Sequence, residues 1–200
     1  MWERGITGKN VNLAILDTGL DDDHPHFKNI IERIDWTGKG TPDDFIGHGT
    51  FVSGVVASFK ECLGIAPDVN LYVFKVFDSN QISYTSWFLD AFNYAIIKKI
   101  DIMNLSIGGP DFMDMPFVSK VWEITSKNII MVSGVGNDGP LYGTLNNPAD
   151  QLDVIGVGGI NSEDQLAKFS SRGNYIFVDL TSIDKNFSIP IFEIVLNFKY

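Results

Sequence analysis

Two residues with acid–base chemistry lie in local sequences that suit catalysis. Asp17 ends an apolar run over residues 11–16 and precedes Thr-Gly, so its carboxylate is predicted at the end of a buried strand. His48 lies between two glycines, which leave its ring open to a carboxylate on one side and to a substrate on the other. A carboxylate that orients an imidazole turns it into an effective general base. Asp17 is therefore a candidate carboxylate that can stay ionised if a protonatable partner donates to it, and His48 is a candidate imidazole with room for a carboxylate partner and a substrate.

Asp-Thr-Gly alone has other interpretations, since it also marks aspartic proteases and simple turns. An aspartic protease pairs two carboxylates, and the chain has no second Asp-Thr-Gly. A metal is the other alternative, because His24 and His26 lie near Asp22 and Asp23. The proline between the two histidines and the lack of helical spacing favour a surface turn instead.

A glycine-rich segment follows a predicted strand at residues 129–132. Residues 134–139 match Gly-x-Gly-x-x-Gly, the spacing of a dinucleotide-binding loop, which requires a helix to begin at once. The sequence continues instead into a stretch with two prolines over residues 140–148, which indicates a loop. The other interpretation places the Asn137 amide where it donates a hydrogen bond to an oxyanion, worth roughly 3 kcal/mol where such a donor has been removed.

A further segment is predicted to bind the backbone of a substrate. Residues 104–110 leave a strand and enter a Gly-Gly-Pro bend, so the edge at Ser106, Ile107 and Gly108 is free to accept an extended peptide. Gly134 is assigned to the same role. Ser106 is not predicted as a nucleophile, because Asn104 occupies the first glycine position of Gly-x-Ser-x-Gly.

The elements that must position these side chains alternate between strands and helices. Short apolar runs predict strands at 11–16, 71–77, 101–106, 129–132 and 154–157, and apolar periodicity predicts helices at 85–99 and 117–126. The second helix is expected to bury Val118, Val121, Trp122 and Thr125, and small residues after His48 predict a helix there too. This rhythm indicates a mostly parallel α/β sheet, in which functional residues collect at the carboxyl ends of the strands.

Composition excludes some classes of function. A formal net charge of −10 over 200 residues argues against nucleic-acid binding, which needs clustered Lys and Arg. No apolar run reaches the roughly 20 residues that span a bilayer, and no signal peptide opens the sequence, so no membrane anchor is predicted in this chain. The single cysteine, Cys62, allows no intrachain disulfide and is expected to be a buried structural thiol.

The motifs at 17–19, 47–50, 106–110 and 136–139, in this order, resemble the subtilisin family of serine proteases. The resemblance runs from about residue 2 to 173 and implies the family's three-layer fold, a mostly parallel sheet with helices on both faces. It implies that Asp17 orients His48, that His48 takes the serine proton and that Asn137 serves the oxyanion. Calcium often stabilises the family, but no convincing ligand set is present in the sequence; Asp21, Asp22 and Asp23 are expected to form a solvated loop.

Within the family, residues 84–95 and 139–150 resemble a branch that processes proproteins in the secretory pathway. This resemblance implies peptide or protein substrates, specifically luminal segments of membrane proteins. They would be cut several positions after a basic residue, in the endoplasmic reticulum or Golgi lumen.

The nucleophile is the part of the pattern that the sequence does not supply. The family's Gly-Thr-Ser-x-Ala motif is absent from the chain, and a typical spacing of about 189 residues after the aspartate places the serine near position 206. We therefore expect a partial peptidase domain over 1–173, truncated at its carboxyl end and inactive alone. The alternative is a noncatalytic remnant that binds peptides or regulates a full-length relative.

Residues 174–200 form an atypical tail. Of these 27 residues, 16 are Phe, Ile, Asn, Lys or Tyr, and none is Gly or Ala. Since A/T-rich codons favour those five residue types, we expect read-through or mis-spliced sequence here, with an ordinary pair of hydrophobic strands as the alternative.

Overall fold

The computed structural model describes residues 1–173 apart from Asp22 and Asp111, so the predicted tail over 174–200 lies outside the described residues. The chain divides into two compact units. The first comprises Met1–Ser106 and Met115–Met131, and the second comprises Ile107–Asp114 and Val132–Tyr200.

A six-stranded sheet of order β2-β3-β1-β4-β5-β6 carries the fold. Its strands are β1 Asn12–Asp17, β2 Ile30–Asp35, β3 Asn70–Lys75, β4 Ile102–Leu105, β5 Ile130–Gly134 and β6 Val154–Val157. β1 pairs in parallel with both β3 and β4, and β2 pairs in parallel with β3. The predicted α/β class with a mostly parallel sheet is confirmed.

β1 is the central strand of the first unit, and its sequence explains that position. Leu13, Ala14, Ile15 and Leu16 are each no more than 6% exposed, as expected for a strand covered on both faces. Register pairs Asp17 with Lys75 at the ends of β1 and β3. The carboxylate of Asp17 is therefore fixed at the carboxyl edge of the sheet.

One strand was not predicted from the sequence. β2 is Ile-Ile-Glu-Arg-Ile-Asp, and none of its residues is fully buried. It stands at the end of the strand order, where it pairs with β3 alone. A half-exposed strand with charged residues lacks both the continuous apolar run and the strict alternation on which strand prediction depends.

Three helices accompany these strands in the first unit: α1 His48–Ala57, α2 Thr85–Ile97 and α3 Met115–Ser126. A short 3₁₀ helix, Trp2–Arg4, precedes them. α2 buries Ala91, Phe92 and Ala95, whose spacing places them on one face of the helix, as the predicted apolar periodicity requires. In the part of the chain that the structure describes, no helix is both long and apolar enough to cross a membrane.

The predicted buried face of α3 is wrong in part. The helix buries Phe117, Val121 and Ile124, whereas Trp122 is 51% exposed. The Phe117 ring lies 5.5 Å from the Phe92 ring on α2. This contact turns inward the face of α3 that carries Phe117, Val121 and Ile124, at spacing i, i+4, i+7. Cys62 is a second correction, because it is exposed in the loop after α1 rather than buried.

The second unit is mostly loops around the end of β5 and β6. Val135 donates its N–H to the carbonyl of Val157, and its own carbonyl accepts from the N–H of Asn146. Gly109 and Asn147 form an isolated antiparallel bridge. These backbone bonds hold together the segments 107–109, 134–139 and 145–148, in which most of the remaining predicted site residues lie.

Candidate active site

The structure brings the two predicted acid–base residues of the first unit into contact. Nδ1 of His48 lies 2.7 Å from Oδ1 of Asp17. Since a carboxylate only accepts, the imidazole donates its Nδ1–H to Asp17, and in the neutral ring the lone pair is then on Nε2. Asp17 is fully buried, whereas 46% of the His48 side chain is exposed. A buried anion thus orients a base that remains accessible.

Glycines make the approach of α1 to β1 possible. A Cβ placed on Gly49 would lie 2.3 Å from the carbonyl oxygen of Gly19 and 3.2 Å from the Asp17 Cβ, so only glycine fits at this crossing. Gly47 precedes the helix with φ of 92°, a left-handed conformation that turns the chain into α1. The two glycines flanking His48 therefore deliver its ring to the end of β1.

The pKa of His48 is raised above its usual value. The hydrogen bond to Asp17 is the main cause, burial opposes it, and the negative charges of Asp17 and Asp44 add to it. The imidazolium form is stabilised by the neighbouring carboxylates, which is the requirement for a group that takes up a proton during a reaction.

Asn137, the predicted oxyanion donor, is exposed in a loop of the second unit. The residues on both sides of it, Gly136 and Asp138, form hydrogen bonds with Ser171. The N–H of Ser171 donates to the Gly136 carbonyl, and the N–H of Asp138 donates to Ser171 Oγ, each at 3.0 Å. Gly136 has φ of 105°, and a Cβ there would lie 2.4 Å from Asn146 Nδ2. The loop is held by packing, while the role of Asn137 stays a prediction.

The predicted substrate-binding residues follow β4 and β5. In the first unit, Ser106 Oγ accepts from the side-chain amide of Asn104 at 3.0 Å. In the second unit, the Ile107 carbonyl accepts from Ser133 Oγ at 3.3 Å, and Gly108 approaches Asn146 so closely that a Cβ would lie 2.8 Å from the Asn146 Cβ.

Gly134 ends β5 and has open space where a Cβ would lie. The structure leaves the binding role of Ser106, Ile107, Gly108 and Gly134 as a prediction.

Two alternative interpretations can be compared with the structure. No helix begins after Gly139, because residues 140–148 form turns and loops, so the dinucleotide-binding interpretation fails. His26 Nδ1 shares a hydrogen bond with Ser58 Oγ at 3.1 Å, and the His24 and His26 rings meet edge to face. Among the described residues, no three His, Cys, Asp or Glu side chains gather as metal ligands. Metal binding near His24 and His26 stays untested, and calcium stays an expectation from resemblance.

Sequence reasoning missed Asp44, which accepts hydrogen bonds from the first residues around α1. Its only local signal is an acidic residue shortly before a helix start, which is common and unspecific. The contacts that distinguish Asp44 connect it to a residue 26 positions away and are visible only in the fold.

The fold and the acid–base pair define a subtilisin-like α/β protein, and the comparison with family models agrees. The Subtilase family model, peptidase S8, matches residues 8–187, so the chain belongs to the Subtilase family. Among individual proteins, it is 69% identical over 173 residues to the human membrane-bound transcription factor site-1 protease. That alignment covers 86% of this chain and 16% of the human protein.

Two further relatives show how widely the similarity extends. Subtilisin-like protease SBT6.1 of Arabidopsis thaliana is 64% identical over 174 residues, which are 86% of this chain and 17% of that protein. The major intracellular serine protease of Bacillus subtilis is 34% identical over 200 residues, covering 93% of this chain and 61% of that enzyme. The chain spans about one sixth of the length of the site-1 proteases that it matches.

Proposed function

We propose that this chain supplies the acid–base half of a subtilisin-like serine endopeptidase. The observation that carries the proposal is the 2.7 Å hydrogen bond from His48 to the buried carboxylate of Asp17. A solvent-exposed histidine without a catalytic role needs no buried anion at its Nδ1. A general base does, because the anion fixes the tautomer and stabilises the imidazolium.

In the proposed reaction, Nε2 of His48 takes the hydroxyl proton of a serine as its oxygen attacks the peptide carbonyl. The positive charge that forms on the ring is balanced by Asp17, which remains a carboxylate throughout. The carbonyl oxygen becomes an oxyanion and accepts a hydrogen bond from the Asn137 amide. His48 then returns the proton to the leaving amine, so one proton is moved and none is lost.

For substrates, we propose peptide or protein segments that bind in extended form along Ser106, Ile107 and Gly108, with Gly134 as a further backbone contact. β4 ends at Leu105, so Ser106 begins the segment where an added strand would pair. The relative's name, membrane-bound transcription factor site-1 protease, supports substrates that are membrane-bound proteins. Cleavage in their luminal segments, in the endoplasmic reticulum or Golgi lumen, is proposed from the resemblance of residues 84–95 and 139–150 to the secretory-pathway branch.

We also propose that the 200 residues alone do not hydrolyse peptides. None of their serines follows Gly-Thr, the context of the family's nucleophile. With Asp17, His48 and Asn137 but no activated hydroxyl, only weak residual catalysis from transition-state binding is expected. The noncatalytic alternative, a remnant that binds peptides, shares this expectation and differs only in whether the acid–base pair still functions.

The test is labelling by a fluorophosphonate probe, which reacts only with an activated serine. One sample is the 200-residue chain. A second is a chimera in which the rest of the human relative's peptidase domain follows Gly173. We expect no labelling of the first and robust labelling of the second, abolished by His48→Ala. Labelling of the 200-residue chain would refute its inactivity, and a folded chimera that stays unlabelled would refute a working acid–base pair.

A further inference from the structure

The carboxylate of Asp44 accepts several hydrogen bonds at the amino end of α1. Oδ1 of Asp44 accepts hydrogen bonds from the N–H groups of Ile46 and Gly47 at 3.0 and 2.8 Å and from Thr18 Oγ1 at 2.8 Å. Its Oδ2 accepts from both the N–H and the Oγ1 of Thr50, each at 2.8 Å. Five donors on one half-buried side chain exceed what a surface loop residue needs.

Thr18 extends this network from α1 to β1. Its Oγ1 accepts the N–H of Gly49 at 2.9 Å and donates to Asp44 at 2.8 Å. Thr18 follows Asp17 in sequence, and Gly49 follows His48. The neighbours of the two acid–base residues are thus joined through one hydroxyl, which Asp44 holds in place.

We propose that Asp44 is a positioning residue for His48, fixing through Thr18 and the amino end of α1 the distance between the imidazole and Asp17. The inference rests on the proposed function, in which His48 is the general base. Asp44 itself touches neither the imidazole nor, in this scheme, the substrate.

The loop that carries Asp44 is itself anchored, so the carboxylate is preorganised. The neighbouring Asp43 pairs with Arg33 at 2.5 Å and accepts from Thr41 Oγ1 at 2.6 Å. The Nζ of buried Lys75 donates to the Asp43 backbone carbonyl. The Arg33 bond comes from β2 and the Lys75 bond from β3, the strands on one side of β1. The Lys75 bond is made to the backbone, so it fixes the point from which the Asp44 side chain reaches α1.

Charge gives Asp44 a second effect on His48. His48 is the first residue of α1, where the partial positive charge of the helix end opposes protonation of an imidazole. The carboxylate of Asp44 bonds to N–H groups at this end and offsets that charge. Among the described residues, the charged groups that act on the pKa of His48 are Asp17, at the end of β1, and Asp44, in the loop before α1, and both raise it.

The hydrogen bonds also keep Asp44 ionised. Burial favours its neutral form, but the N–H groups of Thr50 and Gly47 and the hydroxyls of Thr50 and Thr18 outweigh burial and lower its pKa. Asp44 therefore remains an anion at every pH at which His48 titrates.

The experiment follows the His48 imidazole by NMR in the full chain, with Asp44→Asn as the test variant. Two signals are measured: the pKa of the ring and the low-field resonance of its Nδ1–H. We expect Asp44→Asn to lower the pKa and to broaden or shift the Nδ1–H resonance. A folded Asp44→Asn variant in which both signals match the wild type would overturn the proposal, because a purely structural loop residue would move only the melting temperature.

Asp43→Asn is the matched control. It removes the same charge one position earlier, from a side chain that bonds to Arg33 and Thr41 but not to α1. The Lys75 bond to the backbone carbonyl of residue 43 does not depend on that side chain and is kept. We expect it to leave both His48 signals unchanged. Equal effects of the two substitutions would show a general charge effect and contradict the specific role of Asp44.

Thr18 provides a second, milder test if Asp44→Asn does not fold. Thr18→Val keeps the shape but removes the hydroxyl, so the Nδ1–H resonance should broaden, whereas Thr18→Ser should preserve it. An unchanged resonance in Thr18→Val would overturn the proposal. None of these readouts needs a serine or peptide hydrolysis, so failure of the proposed function in the labelling experiment is distinguished from failure here.

Discussion

Asp17 and His48 share a 2.7 Å hydrogen bond across a steep change in exposure, from a side chain that is fully buried to one that is 46% exposed. The bond therefore transmits the effect of a buried negative charge to a ring that a substrate can reach. Because the two residues are 31 positions apart, this arrangement depends on the approach of α1 to the end of β1.

Substitution of Asp17 by Asn should lower the pKa of His48. The hydrogen bond to the Asp17 carboxylate is the main cause of the raised pKa, and an amide oxygen accepts without a negative charge. We expect a larger fall than in Asp44→Asn, measured by NMR titration of the imidazole. Asp90→Asn, at an exposed position on α2, is the control and should leave the titration unchanged. A folded Asp17→Asn chain with the wild-type pKa would show that the bond has no electrostatic consequence.

Asp17 and His48 could be singled out from sequence because their signals are local, whereas their pairing was implied by the resemblance to the subtilisin family. An apolar run that ends in Asp-Thr-Gly marks a strand end at Asp17, and flanking glycines mark His48 as approachable. Strand β1 and helix α2 were likewise predictable, since the apolar run of β1 is buried and the buried residues of α2, namely Ala91, Phe92 and Ala95, share one face. At each of these positions, local sequence preference and the tertiary environment agree.

The features that could not be predicted depend on contacts distant in sequence. The role of Asp44 cannot be predicted locally, because it depends on a hydrogen bond from Thr18, which is 26 positions away in sequence. The orientation of α3 is set by Phe92, a residue of α2, and the local periodicity of α3 alone pointed to Trp122 instead. β2 has charged residues at its centre and is recognisable as a strand only through its pairing with β3.

Substitution by alanine should change the free energy of unfolding in opposite directions at two glycines of α1. A Cβ at Gly49 would collide with the Gly19 carbonyl oxygen at 2.3 Å, whereas a Cβ at Gly54 meets nothing within 4 Å. Gly49→Ala should therefore destabilise by about 1–3 kcal/mol through overpacking. Gly54→Ala should stabilise by about 0.5–1 kcal/mol through lower backbone entropy in the unfolded chain. Urea denaturation measures both, and equal effects would contradict the close crossing of α1 and β1.

Removal of the Ser171 hydroxyl should loosen the loop that carries Asn137. Ser171→Ala leaves the Asp138 N–H without its acceptor, at a cost of about 1 kcal/mol. Amide hydrogen exchange at Asp138 should accelerate about fivefold, the factor that corresponds to this free energy. Gly139, whose N–H donates to the Phe169 carbonyl, serves as an internal reference. Exposed Ser162→Ala is the matched control, and unchanged exchange at Asp138 in Ser171→Ala would show that the loop is held by other contacts.

Acid should destabilise the fold through Asp44 and Asp35. Burial raises the pKa of each carboxyl, but hydrogen bonds outweigh it, from Thr50, Gly47 and Thr18 to Asp44 and from Thr37 and Gly40 to Asp35. A carboxyl whose pKa is lower in the folded chain than in the unfolded chain binds fewer protons when folded near that pKa. Its stabilisation is therefore complete well above pH 3.8, the ordinary value, and is lost as pH falls through the lowered folded pKa.

The free energy of unfolding, measured by urea denaturation at a series of pH values, should accordingly decline below about pH 4 in the wild type. Asp44→Asn should be less stable at neutral pH and should show a smaller decline in acid, since one of the carboxyls whose pKa is lowered in the folded chain is gone. Asp90→Asn, at an exposed position on α2, serves as the control for this exchange. If Asp44→Asn lost stability in acid as steeply as the wild type, the carboxylate at the start of α1 would not be the group that titrates. The other carboxyls with a lowered pKa would then account for the acid sensitivity, among them Asp35, which accepts from Thr37 and Gly40 after β2.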